Sequence, residues 1–239
     1  MKAVILAAGV GSRLKPLTDH TPKGLVPVGG KPILAHSLDA FYRSGVKEVI
    51  LVTGHLHEQV EAFAREQPLP CRCVYNPRYD TANNYYSLLV AEQALGGESF
   101  IKVDSDLVFR PAALARMLSA EAELCIACDT SVALGEEEMK LQVGDDGRVV
   151  GCSKSLDPAA CIGESIGMEK IDQALFPTLF DELRAMDAEG FTDGYYEDAY
   201  HRLAQRGGHD IRPVDVTGLA RSEIDDADDL ARAEELFRG

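Results

Sequence analysis

An apolar run, Ala3 to Ala8, breaks at once into Gly9, Gly11, Ser12 and Arg13, and Lys15 and Lys23 follow within ten positions of Arg13. Glycines after a strand let backbone N–H groups approach an anion closely, while arginine and lysine supply the charge that phosphate oxygens attract. Two familiar phosphate loops are excluded. A P-loop needs Gly-x-x-x-x-Gly-Lys-Ser/Thr, which "GVGSRL" lacks. The dinucleotide fingerprint needs a third glycine where Leu14 stands, and it opens a helix that Pro16 and Pro22 disfavour. What remains is a long irregular loop, from Gly9 to about Pro27, wide enough to wrap a nucleoside triphosphate. Two acidic stretches stand further along the chain. "FIKVDSDLVF" brings Asp104 and Asp106 to the end of an apolar strand, and "RSEIDDADDL" places Glu223 and Asp225 just before the last helical pattern. Asp225 also suits a helix N-cap.

Such residues need a framework that gathers distant loops. Short apolar, β-branched runs occur at Ala3 to Ala8, Val49 to Thr53, Cys71 to Tyr75, Phe100 to Val103 and Leu124 to Cys128. Helical patterns such as "PILAHSLDAFYRSG" and "HEQVEAFAREQ" lie between the earlier ones. This alternation predicts a largely parallel sheet covered on both faces, with working residues at the carboxyl ends of its strands. The second half is less regular. "KLQVGDDGRVVGCSK" reads as a hairpin around Gly144 to Gly147, "IDQALFPTLFDELRAM" and "GYYEDAYHRLAQRG" as helices, "IRPVDV" as a strand, and Ala227 to Phe237 as a terminal amphipathic helix. One domain over 1–239 is expected, with about 130–200 forming an insertion over the sheet on the acceptor side.

Composition narrows the partners. The chain has 239 residues, 46% of them apolar, enough to supply a substantial core. Its 24 basic and 39 acidic residues give a net charge of -15, which argues against a general affinity for nucleic acid or anionic membrane. A phosphate site must then be a local basic patch. No run is long and apolar enough for a membrane span, and the start shows no signal-peptide layout, so a cytoplasmic protein without membrane insertion is expected. The six cysteines read as buried thiols, and the Cys125-x-x-Cys128 pair, inside a strand without a second pair, reads as core and not as a zinc site. His55 and His57 read as polar residues at a helix start.

"LAAGVGSRLKPLTDHTPKGLVPVGGKPIL" is similar to the signature loop of the nucleotidyltransferases that activate sugar phosphates and small phospho-alcohols. That family's Leu-Ala-Ala-Gly-x-Gly-Ser/Thr-Arg-Leu is followed by Pro-Lys. The resemblance implies an α/β fold with a mixed, mostly parallel central sheet and helices on both faces, Rossmann-like, as in nucleotide-diphospho-sugar transferases. It also implies a reaction in which a substrate phosphate attacks the α-phosphorus of a nucleoside triphosphate and pyrophosphate leaves. By position, Leu6, Ala7, Ala8, Gly9, Gly11 and Ser12 would line the nucleotide. Arg13 would hold the leaving phosphates and Lys23 would bridge the reacting ones, whereas Lys15 is as well explained as a solvated side chain.

Bringing two polyanions together is a problem of charge repulsion, for which a divalent metal and fixed cations are the natural answer. Magnesium prefers carboxylate, phosphate and water oxygens. The resemblance makes Asp106 and Asp225 the metal ligands, with Asp104 on the nucleotide side and Glu223 supporting them.

The acceptor is addressed by "NPRYDTANNYYSLLVAEQAL". Sugar-phosphate enzymes commonly carry a glycine-rich element here, whereas Asn83 to Leu88 resembles the Asn-Asn-x-Tyr-Ser-Leu of bacterial cytidylyltransferases for phosphocholine and 2-aminoethylphosphonate. Asn84 and Ser87 are therefore expected near the base of CTP, with helix capping as a compatible alternative. In "GYYEDAY", the cluster Tyr195, Tyr196, Glu197 and Asp198 could hold an ammonium group by ring faces and carboxylates. Lys154 matches a family lysine near the substrate phosphate. Lys140 and Glu164 are further acceptor-side candidates. The expected activity is magnesium-dependent transfer of CMP from CTP to a small phospho-alcohol or phosphonate. A sugar-1-phosphate uridylyl- or thymidylyltransferase and a non-catalytic nucleotide-binding regulatory module remain alternatives. Oligomeric state is not legible in the sequence.

Overall fold

The computed structural model describes residues 1–219 and 221–238. In chain order, β1 (Lys2–Ala7) leads through the glycine loop to β2 (Pro27–Val28), β3 (Lys31–Pro32) and α1 (Ile33–Arg43). Then come β4 (Val49–Thr53), α2 (His57–Arg65), β5 (Cys71–Tyr75), α3 (Asn84–Val90) and α4 (Glu92–Leu95). The middle holds β6 (Phe100–Asp104), β7 (Leu107–Phe109), α5 (Pro111–Ser119) and β8 (Leu124–Asp129). The remainder supplies β9 (Lys140–Val143), β10 (Val149–Ser153), β11 (Gly163–Ile171), α6 (Phe176–Ala188), α7 (Tyr196–Arg206), β12 (Ile211–Asp215), β13 (Arg221–Glu223) and α8 (Ala227–Phe237).

The main sheet is mixed. Strands β6, β1, β4 and β5 lie side by side and parallel, and β12 is parallel to β8. Strand β11 runs antiparallel to β6, β8 and β9, and β9 runs antiparallel to β10. The sheet is covered on both faces, which is why β4 is buried at every residue and shows no polar alternation. Alternation still sorts the side chains. Val4, Leu6 and Ala8 face α3, α6 and α7, whereas Ala3, Ile5 and Ala7 face α1, α2 and α5. Cys125 and Cys128, three apart, fall on opposite faces of β8, and all six cysteines are free thiols. Burial pushes the Cys128 thiol up to about 12, the behaviour of an inert core residue.

The stretch 130–200 enters the sheet itself through β9, β10 and β11, and covers one face with α6 and α7. Strand β11 was not foreseen as a strand. Helix α6 starts at Phe176, five residues later than expected, because Ile171 ends β11. No helix among the described residues is long and apolar enough to cross a membrane.

A third, smaller core ties the glycine loop to the C-terminal region. Leu14 and Val26 from the loop pack with Val28, Ile33, Val108, Ile224, Ala233 and Phe237. Strand β13 pairs with β7, and Ile224 N–H donates to the Asp106 carbonyl at 3.1 Å. These contacts carry Asp225 across more than a hundred residues to the end of β6.

Candidate active site

A cavity of about 760 Å³ opens at the carboxyl ends of β1 and β6. Its floor begins with Leu6, Ala8, Gly9, Gly11, Ser12 and Arg13. The loop remains irregular, as the two prolines require, and is built from three-residue 3-10 turns at Ser12–Leu14, Leu17–Asp19 and Lys23–Leu25. Gly11 has φ +65°, and a Cβ there would lie 3.1 Å from Thr18 Cγ2 and 3.2 Å from Lys23 Cβ. Glycine thus satisfies both the left-handed backbone and the close approach of Lys23. Thr18 Oγ1 locks the turn by donating to the Gly11 carbonyl at 2.7 Å.

Lys23 is where the distant elements meet. Its Nζ donates to Asp106 Oδ2 at 2.7 Å and to Asp225 Oδ1 at 2.8 Å. Burial alone would lower its pKa, but Asp106 and Asp225 outweigh burial and raise it. Arg13 reaches Asp225 Oδ2 at 2.8 Å. Asp106, Glu223 and Asp225 each offer an oxygen, all within 4.8 Å of one another. Asp106 Oδ1 is buried without a hydrogen-bond partner. Three convergent carboxylates, one with an orphaned oxygen, are a donor set that suits a hard divalent cation.

Behind this cluster lies a second one. Lys102 Nζ donates to Asp104 Oδ2 at 2.9 Å and lies 3.1 Å from Glu169 Oε2. The Tyr196 hydroxyl donates to the same Asp104 oxygen at 2.6 Å, and its ring lies under the Lys102 ammonium at 3.4 Å. Desolvation at the cavity floor pushes the Asp104 carboxyl up, against the pull of Lys102. Gly167 kinks β11 here with φ +71°, and a Cβ there would meet Asp104 Oδ2 at 2.5 Å. The register of β11 against β8 shifts between Ser165 and Glu169, around this kink.

The two remaining sequence elements meet on the far wall. Asn83 caps α3 by accepting from Asn84 N–H at 2.8 Å, and its own amide donates to the Asp193 carbonyl at 3.1 Å. Asn84 Oδ1 accepts from Tyr196 N–H at 3.0 Å, which joins α3 to the start of α7. Ser87 accepts from Asn76 Nδ2 at 2.9 Å and lines the cavity with Asn84, Tyr195, Glu197, Lys154 and Glu164. Lys154 Nζ lies 5.1 Å from the Tyr195 ring centroid.

Four expected site residues lie elsewhere. Ala7 is turned to the opposite face of the sheet by the strand period. Lys140 is buried away from the cavity, and its ammonium donates to the carbonyls of Gly135 and Glu138, at 2.6 and 3.1 Å, so it folds the 135–139 turn. Tyr196 is wholly buried beneath the cavity, because its position on α7 points it into the sheet beside Tyr200. Asp198 caps α7 by accepting from Tyr195 N–H at 2.7 Å.

One residue was missed. Arg221 lines the cavity, pairs with Asp129 Oδ2 at 2.9 Å and lies 3.6 Å from Glu164 Oε2. Burial raises the Glu164 carboxyl, with Arg221 opposing. The available signal was a lone arginine opening the acidic stretch "RSEIDDADDL".

The chain is similar in sequence and fold to known proteins. The chain is 33% identical over 248 aligned residues, 99% of its length, to CMP-5'-(3-aminopropyl)phosphonate synthase of Streptomyces rubellomurinus. It is 37% identical over 107 residues, 45% of its length, to choline-phosphate cytidylyltransferase of Streptococcus pneumoniae. The matches span 39% and 46% of those relatives' own lengths, so the chain covers less than half of either. Its fold overlays that of the CTP:phosphocholine cytidylyltransferase from Streptococcus pneumoniae with a TM-score of 0.78 and 25% identity, covering 98% of each chain. Residues 3–166 match the family described as the MobA-like NTP transferase domain, and the chain belongs to that family.

Proposed function

We propose that the protein is a magnesium-dependent cytidylyltransferase that moves CMP from CTP onto a small acceptor carrying both a phosphate or phosphonate and an ammonium group, with release of pyrophosphate. One observation carries this reading: a single cavity is lined by both the Lys23–Asp106–Asp225 cluster and the Tyr195–Glu197 pair. The relatives named for aminopropylphosphonate and choline phosphate support the same class of acceptor.

Backbone N–H groups around Gly9 and Gly11, with Arg13, hold the triphosphate and take the charge that develops on leaving pyrophosphate. Lys23, held between two carboxylates, stands where the reacting phosphates exchange. Asp106 and Asp225, with Glu223 adjacent, would hold magnesium, which withdraws charge from the phosphate oxygens when bound. No protein nucleophile is required, because the acceptor oxyanion is already ionised. The Ser87 hydroxyl and Asn84 amide offer polar groups to the cytosine edge. Lys154 and Arg221 face the acceptor's phosphate or phosphonate. Glu197, 6% exposed and with Oε2 unpartnered, shares the cavity lining with Tyr195 and is the carboxylate that attracts its ammonium.

The test is pyrophosphate release from purified protein and magnesium with each of the four nucleoside triphosphates. The acceptor panel holds phosphocholine, phosphoethanolamine, 2-aminoethylphosphonate, inositol phosphate and hexose-1-phosphates. Turnover is expected with CTP and an ammonium-bearing acceptor. Turnover confined to UTP and a hexose phosphate rejects the proposal.

A further inference from the structure

Two members of the buried cluster beside the cavity, Lys102 and Glu169, are sealed from it, yet they are costly to keep. Lys102 and Glu169 are both 0% exposed, and neither lines the cavity. Around this one ammonium stand three carboxylates: Asp104 from β6, Glu169 from β11 and Glu197 from α7. Among the described residues, the other groups facing Glu197 and Glu169 bring no second cation; the Ser165 hydroxyl from β11 is one of them. The Tyr196 and Tyr200 hydroxyls from α7 and the Cys152 thiol from β10 are the others. Both Glu169 oxygens and Glu197 Oε2 are buried without a hydrogen-bond partner. One ammonium, bonded to Asp104 and 3.1 Å from Glu169 Oε2, cannot neutralise three buried carboxylates, so this set is short of positive charge. Of the three, Asp104 and Glu197 border the cavity, Asp104 already holding Lys102 and the Tyr196 hydroxyl, and Glu197 sharing the lining with Tyr195.

We infer that Lys102 and Glu169 are positioning residues that set the charge of Glu197, so that the pocket selects an acceptor bearing an ammonium group, whose binding displaces one proton from the cluster to solvent. The inference rests on the proposed cytidylyltransferase reading and adds a mechanism for its acceptor choice. Glu169 competes with Glu197 for the single ammonium of Lys102. Burial pushes Glu197 up to about 8 and Glu169 up to about 7, against the pull of Lys102. At neutral pH the cluster therefore carries a proton that an incoming ammonium can replace, and the KM for such an acceptor falls as pH rises through this range.

Glu169→Gln keeps the shape and removes the competitor. With 2-aminoethylphosphonate and CTP, the variant is expected to show a KM about three- to tenfold lower at neutral pH, and a KM–pH midpoint about one unit lower, the scale of one like-charge neighbour. The KM for CTP stays unchanged. A merely structural residue would give a higher KM or the same midpoint, and either result overturns the inference. Lys102→Met is expected to move the midpoint upward. Wild-type calorimetry in two buffers of different protonation heat, with an unreactive CTP analogue, provides a reading independent of variant folding. Greater proton release with 2-aminoethylphosphonate than with ethylphosphonate supports the inference, and equal release overturns it. If the wild type uses no ammonium-bearing acceptor, the functional reading falls and takes this inference with it. If it does but the two KM–pH curves coincide, this inference alone falls.

Discussion

Two lysines from different parts of the chain each gather three carboxylates, and their settings differ. Lys23 stands among Asp106, Asp225 and Glu223 on the open floor of the cavity, and Lys102 among Asp104, Glu169 and Glu197 in the closed space behind it. Strand β6 and the turn after it serve both, through Lys102, Asp104 and Asp106. In the open cluster, carboxylate oxygens converge within reach of an external cation. In the closed cluster the charges are fixed by the fold, and only Glu197 and Asp104 touch the cavity. Carboxylates gathered around a lysine thus suit two tasks, the open set with Arg13 on Asp225 as a second cation. An accessible set exchanges its cation, whereas a sealed set tunes the groups at its rim.

The comparison breaks most visibly at the open cluster. Lys23→Ala or Asp106→Ala is expected to lower kcat by roughly a hundredfold or more, the scale of losing electrostatic stabilisation of a transition state. Folding should persist, since Lys23 and Asp106 both keep contact with the cavity. Steady-state rates with CTP and the best acceptor of the panel measure this, and near-normal rates would sink the assignment.

At the closed cluster the first effect is on stability. Tyr196→Phe deletes the hydroxyl that donates to Asp104 Oδ2 at 2.6 Å. A buried hydrogen bond to a charged group is worth about 1.5–3 kcal/mol, so urea unfolding should show a loss of that size. An unchanged midpoint would mean that Lys102 alone holds Asp104.

A smaller, pH-dependent effect separates the clusters further. A glutamic acid whose pKa in the fold lies above its ordinary value takes up protons on folding, so it costs stability as pH rises from the ordinary glutamate range towards the folded value. Glu169, raised to about 7 by burial, belongs to this class. Glu169→Gln removes the cost. Its stability relative to wild type should improve by on the order of 1 kcal/mol between about pH 5 and about pH 7.5. Urea midpoints across that range test it, and a difference independent of pH would count against it.

What the sequence disclosed follows the range of the interactions. The glycine loop, the first strands and helices, and the β9–β10 hairpin around Gly144 to Gly147 rest on local signals, and all were legible. Strand β11 was not, because Glu164, Glu169 and Lys170 and two glycines hide its apolar residues, and Glu169 is tolerated only beside Lys102 from another strand. The late start of α6 had a signal in Pro177, a residue suited to a first helical turn. The β7–β13 pairing joins two three-residue strands over a hundred residues apart. Nothing local announces it, although it brings Asp225 to Asp106. Site residues carried by short motifs were placed near the cavity, whereas Tyr196 and Asp198 were misjudged because helix phase, not composition, decides which side chain faces it.

Lys140 and Lys154 give the smallest and most discriminating contrast. Both belong to the β9–β10 hairpin region, and either could serve an acceptor phosphate on composition alone. Lys154 lines the cavity beside Tyr195, whereas Lys140 spends its ammonium on the carbonyls of Gly135 and Glu138. Lys140→Met removes those two bonds and replaces a buried ammonium with an apolar chain of similar length, at a position that is not itself part of the cavity lining. The acceptor KM of Lys140→Met is then expected to stay within about twofold of wild type, the cost of its lost bonds falling on stability and not on acceptor binding. Lys154→Met should raise it about tenfold or more, the scale of one lost charge-assisted contact to phosphate. Equal effects of the two substitutions on KM would show that Lys140 reaches the acceptor when the turn at 135–139 moves, and would return it to the site.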